Sequence, residues 1–141
     1  MKLLYYSNTN DPLSQSSVPD PVNNVYNQLL FPRPYNPSVL TTEVSLLNLY
    51  FDRFTPENLQ FKDFYLIFDV ICHENLWQLG GDKKGLRPFY MMHELDSMFN
   101  LQHKIIGIGK MLFADAGFRF YGGSDTKFSG YQLRYKITDF A

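Results

Sequence analysis

The sequence predicts an α+β fold: a twisted antiparallel sheet with one helix packed on a face, preceded by a long irregular N-terminal arm. Three observations carry this. "FKDFYLIFDVICH" (61–73) and "FSGYQLRYKITDF" (128–140) are rich in β-branched and aromatic residues, as strands are. "RPFYMMHELDSMFNLQ" (87–102) repeats its apolar residues at helical spacing. Proline is concentrated early, with seven of the eight in residues 1–56. The division that follows is an arm over 1–40 and an α+β core over 41–141.

The elements follow in order. The start, Met1 to Tyr6, has too short an apolar run for a signal-peptide core or a membrane span, so a soluble protein is expected. Residues 7–24 have almost no large apolar side chains, and such a segment orders only where something else holds it. Val25–Phe31 allows one or two helical turns. In "FPRPYNP" (31–37) each proline fixes its own φ and pushes the preceding residue out of the α region, so the segment is extended. It either packs across this protein's own sheet or docks into a partner's groove, and packing in cis with a share in an interface fits best.

"TEVSLLNLYFDRF" (42–54) and 61–73 form an antiparallel hairpin around the turn "FTPENLQ". "LGGDKKG" (79–85) is a polar connection. In the 87–102 helix Pro88 fits the first turn, where a missing N–H is harmless. Met91, Met92, Leu95, Met98 and Phe99 share the apolar face. His93, Ser97 and Asn100 take the other. A strand follows near Lys110–Ala114, with Asp115-Ala116-Gly117 as a turn or bulge. In the last strand Tyr131, Leu133, Tyr135 and Ile137 face one way, and Gln132, Arg134, Lys136 and Thr138 the other.

The composition limits the chemistry. Thirteen basic and 14 acidic residues give a net charge of −1. With no basic block or stripe, sequence-specific nucleic-acid binding is not expected. Aromatics reach 17% with 13 Phe and 10 Tyr, which suits a β-rich fold or a protein that buries surface in an assembly. The single cysteine excludes an internal disulfide.

"DVICHENLW" (69–77) holds the parts of a nucleophilic or metal site, but strand periodicity separates them. Cys72 falls on the row of Phe64, Leu66, Phe68 and Val70, and His73 on the row of Tyr65, Ile67, Asp69 and Ile71. A nucleophile and its base must come within hydrogen-bond reach. Cys72 therefore reads as a core thiol, and Asp69 and His73 as contacts on the less apolar face. His73, His93 and His103 lack metal-ligand spacing. "GIGKML" (107–112) lacks the length and the Ser/Thr of a phosphate loop. Arg87, at a helix start that disfavours cations, calls for a carboxylate partner elsewhere, and the sharper reading is an ion pair across a subunit boundary. No cofactor, metal or catalytic residue is expected.

Three stretches carry a family resemblance: "FPRPYNP" followed by "TTEVSLLNLYF", then "LIFDVICHENLW", then "LRPFYMMHELDSMF". With the closing strands they span residues 31–139. The sequence resembles the head–tail junction proteins of tailed phages, of the tail-terminator or tail-completion (neck) type. That resemblance implies a non-enzymatic virion protein, made in the host cytoplasm. It would form a homohexameric ring that terminates the tail tube or joins tail to head, against other neck, tail-tube or sheath proteins. Its members have a helix before the first strand, where this chain has the polar, proline-bearing residues 7–24. The interface residues expected are Pro32, Arg33, Tyr35, Asp69, His73, Trp77, Arg87 and Tyr90. The alternative is a small phage-encoded protein that binds and inhibits a host or defence protein.

Overall fold

The computed structural model describes residues 1–7, 11–37, 42–56, 61–80, 85–102, 109–123 and 125–140. Two four-residue helices, α1 (Lys2–Tyr5) and α2 (Pro21–Asn24), precede a two-residue strand, β1 (Leu30–Phe31). Then come β2 (Ser45–Pro56), β3 (Phe61–His73), the short pair β4 (Gln78–Leu79) and β5 (Gly85–Leu86), helix α3 (Arg87–Phe99), β6 (Met111–Tyr121) and β7 (Phe128–Phe140). The main sheet has the order β1-β2-β3-β7-β6. All its pairings are antiparallel except β1 with β2, so the sheet is mixed rather than purely antiparallel. It is an open α+β sheet, not a closed barrel.

β3 and β7 have the bounds expected from the sequence, and they pair from Phe61↔Phe140 to His73↔Phe128 without a break. Their registers place Phe64, Leu66, Phe68, Val70 and Cys72 with Leu133, Tyr135 and Ile137 on one face, over which Met91 and Leu95 of α3 pack. Burying such a side chain contributes about 2 kcal/mol. The Tyr135 hydroxyl donates to Asp96 Oδ1 at 2.9 Å, which fixes the helix on β7.

Several expectations are corrected. Helix α3 stops at Phe99, not Gln102, because the chain turns to meet β6. Leu101 N donates to Met111 O at 2.8 Å, and Asn100 Oδ1 accepts from Phe113 N at 3.1 Å. Met98 is 53% exposed, outside the packed stripe. The helical turn expected at 25–31 lies one step earlier, at Pro21–Asn24, and Leu30–Phe31 is strand. Asp115-Ala116-Gly117 is not a turn: β6 runs through it to Tyr121, with its irregularity between Phe113 and Asp115.

The opposite face of β3 is also covered. Phe31 packs with Leu46, Ile71 and Phe128, and Tyr35 lies against them. The proline segment therefore does pack in cis. At the N-terminus, Leu3, Leu4 and Val25 join the cluster beneath α3. No helix among the described residues is long and apolar enough to cross a membrane. His103, Gly107 and positions 57–60 and 81–84 of the two connections lie outside the described residues.

Candidate interaction surface at the sheet edge

Strand β6 has β7 as its one neighbouring strand among the described residues; residues 100–102 cap its outer side at Met111 and Phe113, and from Ala114 onward it forms an edge of the sheet. Its register puts Phe113, Phe118 and Phe120 on the face that carries α3, opposite Tyr135, Tyr131 and Ser129. Phe113 is 47%, Phe118 48% and Phe120 70% exposed. Tyr131 and Trp77 sit beside Phe118, with ring centroids 5.9 and 6.3 Å away. Phe89, on the first turn of α3, reaches Tyr131 at 5.5 Å and is 48% exposed. Phe120 meets Phe118 edge-on at 5.0 Å. The Trp77 indole N–H is buried and has no acceptor among the described residues, although buried indoles ordinarily find one. An open strand edge beside a contiguous aromatic surface is the arrangement that partners cover.

The sequence candidates divide among different places. Trp77 belongs to this surface. Tyr90 is half-buried nearby, its ring so close to Gly85 that an added Cβ there would stand 2.9 Å from Cε2. Pro32 and Arg33 are exposed, and half-buried Tyr35 stacks on Phe31 at 4.1 Å with rings 2° from parallel. Arg33 lies over both rings, at 5.4 and 5.8 Å. The structure does not bring this group together with Trp77.

Three candidates prove to be interior, and each is a correction. Arg87 is 1% exposed; its Nε donates to Leu76 O at 2.9 Å and Nη1 to Leu3 O at 2.7 Å. It ties the chain's start to the segment before α3 rather than reaching outward. His73 is 6% exposed and caps the following 3-10 turn, Nδ1 accepting from Asn75 N at 3.2 Å. Asp69 is 4% exposed and accepts from Gln132 Nε2 at 3.0 Å, the Tyr121 hydroxyl at 3.1 Å and Asn48 Nδ2 at 3.4 Å. A buried carboxylate persists because such donors replace its water. The arm and β6 cover the face that the strand pattern alone left open.

The polar network around Asp69 has an alkaline signature. Burial first, and then the nearby Asp69 charge, push the phenols of Tyr50 and Tyr121 well above their ordinary range; burial and Asp96 do the same for Tyr135. An unfolded tyrosine ionises near about pH 10, so above that the unfolded chain has released protons that the native chain retains. Native stability is thus full below that pH and falls as pH rises beyond it. The urea midpoint is expected to drop between about pH 9 and pH 11, and less steeply in Tyr121→Phe. Equal midpoints across this range would remove the buried-phenol account.

Among the described residues nearby, no side chains assemble into a nucleophilic or metal centre. Cys72 is fully buried, and burial pushes its thiol up to about 12, which suppresses the reactive thiolate. Among the described residues no three His, Cys, Asp or Glu side chains could hold a metal ion. A cavity of about 550 Å³ between α1, α3 and β2 is lined largely by apolar residues, with Lys2, Glu94 and the Met1 ammonium among its charged groups. It lacks the convergent polar groups that orient a small ligand.

Reading the sequence missed Phe89, Phe118 and Phe120. The alternation in "GFRFY" was the available signal, hidden by ending the strand at Ala114.

This is an open α+β sheet protein whose most exposed apolar feature is an edge strand. The chain belongs to the YomW family, which it matches over residues 1–137. That family is named after a Bacillus phage gene product, which points to a phage-encoded protein. No curated protein matches the chain.

Proposed function

We propose that this chain is a non-enzymatic structural protein of a phage particle, closing into a homo-oligomeric ring at the tail end or neck. The observation that carries the reading is the uncovered aromatic edge at β6. The far side of the sheet offers a complement. β1 pairs with β2 only at Leu47 and Asn48, so beyond Asn48 β2 pairs with β3 on one side and has no neighbouring strand on the other among the described residues. Phe51, on that stretch, is 44% exposed. Across the sheet β2, β3, β7 and β6 alternate in direction, so β6 of one copy meets β2 of the next antiparallel. Contacts between two different edges are head-to-tail, and they close into rings when the rotation allows. The resemblance to tail-terminator and tail-completion proteins agrees with such a subunit, and implies neck, tail-tube or sheath proteins as its other neighbours.

Light scattering after size-exclusion chromatography tests this. The wild-type chain is expected to run as a closed oligomer, and Phe120→Lys to shift it to monomer with unchanged circular dichroism. A wild-type monomer at the highest soluble concentration would overturn the ring, and would favour the rival in which the aromatic surface docks on a host or defence protein. A Phe120→Lys oligomer identical to wild type would move the interface elsewhere.

A further inference from the structure

On the face of the sheet away from α3, beside the Asp69 network, lies an open cavity of about 260 Å³ lined by Arg53, Asp115, Gly117, Arg119, Gln132 and Arg134. We propose that this arginine bowl binds a phosphate group, free or as the monoester of a small molecule. The three arginines arrive from β2, β6 and β7, so only the folded sheet gathers them.

Their charges are not balanced. Arg134 forms a two-pronged pair with Asp115, its Nε at 2.6 Å from Oδ1 and its Nη2 on Oδ2. It also lies over the Tyr65 ring at 5.3 Å. Arg53 and Arg119 have no ion-pair partner among the described residues, and both are close enough to help hold the Asp115 carboxyl below its usual range, after Arg134 itself. Three arginines against one aspartate leave a charge of +2. A phosphate monoester near neutral pH is close to a dianion, and planar guanidinium forks match its oxygens.

Backbone features prepare the place. Arg53 sits in the β2 irregularity between Asp52 and Thr55 with φ of 57°, a left-handed conformation rare for a residue with a side chain. Its backbone N–H is held by Asp52 Oδ1 at 2.8 Å. Gly117 supplies the opening, since a Cβ there would meet nothing within 4 Å. The Gln132 amide nitrogen is already committed to Asp69 and Tyr50, which fixes that wall.

The test uses the full chain and inorganic phosphate, by titration calorimetry at constant ionic strength, with acetate as the comparison anion. Wild type is expected to bind phosphate in preference to acetate. Arg53→Gln combined with Arg119→Gln is expected to weaken binding at least about tenfold, the loss of one charged hydrogen-bonding partner or more. Gly117→Glu, which places a carboxylate in the open space, is expected to abolish it. Circular dichroism of each variant separates lost binding from lost folding, and Gly117→Ala gives a folded control that keeps the bowl open. No heat with phosphate in the wild-type chain, equal affinity for acetate, or full affinity in the folded double-arginine variant would each overturn the proposal. None of these outcomes depends on whether the chain forms a ring.

Discussion

Gly130→Ala is expected to break the centre of the sheet, with a loss of about 4 kcal/mol or more. Gly130 lies in β7 opposite Ile71 of β3 and Arg119 of β6. A Cβ built on it falls 1.8 Å from Val70 O, 2.9 Å from Val70 C and 3.3 Å from Ile71 Cα. All three are backbone atoms of the central strand, so no side-chain rotation relieves the clash. The strands must separate, along a pairing that otherwise runs unbroken through thirteen register positions. Native domains are stable by only about 5–15 kcal/mol, so this one methyl removes a large share. Urea unfolding followed by circular dichroism measures it. Gly117→Ala is the matched control: it adds the same methyl to the neighbouring β6 into open space and is expected to stay within about 0.5 kcal/mol of wild type. A Gly130→Ala protein as stable as the Gly117→Ala protein would show that the β3–β7 spacing is looser than described.

Arg87→Met is expected to lose about 3 kcal/mol and to free the chain's start. The Arg87 guanidinium, 1% exposed, bridges Leu3 O and Leu76 O, carbonyls 73 positions apart in the sequence. Methionine fills similar volume but donates nothing, leaving both carbonyls buried without that donor. The consequence is directional. Leu3 and Leu4 are 5% and 3% exposed against the cluster beneath α3, and a four-residue helix such as α1 has no stability of its own. Amide exchange at residues 2–6 is expected to rise well beyond the global change, while β3 and β7 stay protected relative to it. Arg87→Lys is expected to recover only part, because a single ammonium does not reproduce the planar fork. Uniform loss of protection across the whole chain would mean that Arg87 supports the core generally and not the N-terminal attachment.

Much of the frame was legible in the sequence. The bounds of β3 and β7, the start of α3 and the alternation of Tyr131 to Ile137 followed from periodicity and from the first-turn fit of Pro88. So did the separation of Cys72 from His73. The candidate surface was less legible. Trp77 was identified, but the aromatic partners of β6 were lost because Asp115-Ala116-Gly117 has the composition of a turn. In the fold these residues stay extended because β7 lies alongside and Arg134 pairs with Asp115. Asp69, His73 and Arg87 looked like outward contacts because strand alternation and helix-start rules describe one element at a time. Their burial comes from Phe31, Tyr35 and Tyr121 over one face and from Leu3 and Leu76 around the guanidinium.

The sequence by itself determined the bounds of β3 and β7, the start of α3 and which of their side chains share a row, since these depend on neighbours two to four positions apart. Only the tertiary structure decided which rows are covered, where the sheet ends and which arginines meet, because those depend on strands distant in sequence. Arg53, Arg119 and Arg134 show the difference. They are scattered along the chain with no common spacing, and they face one cavity because β2, β3, β7 and β6 hydrogen-bond in that order.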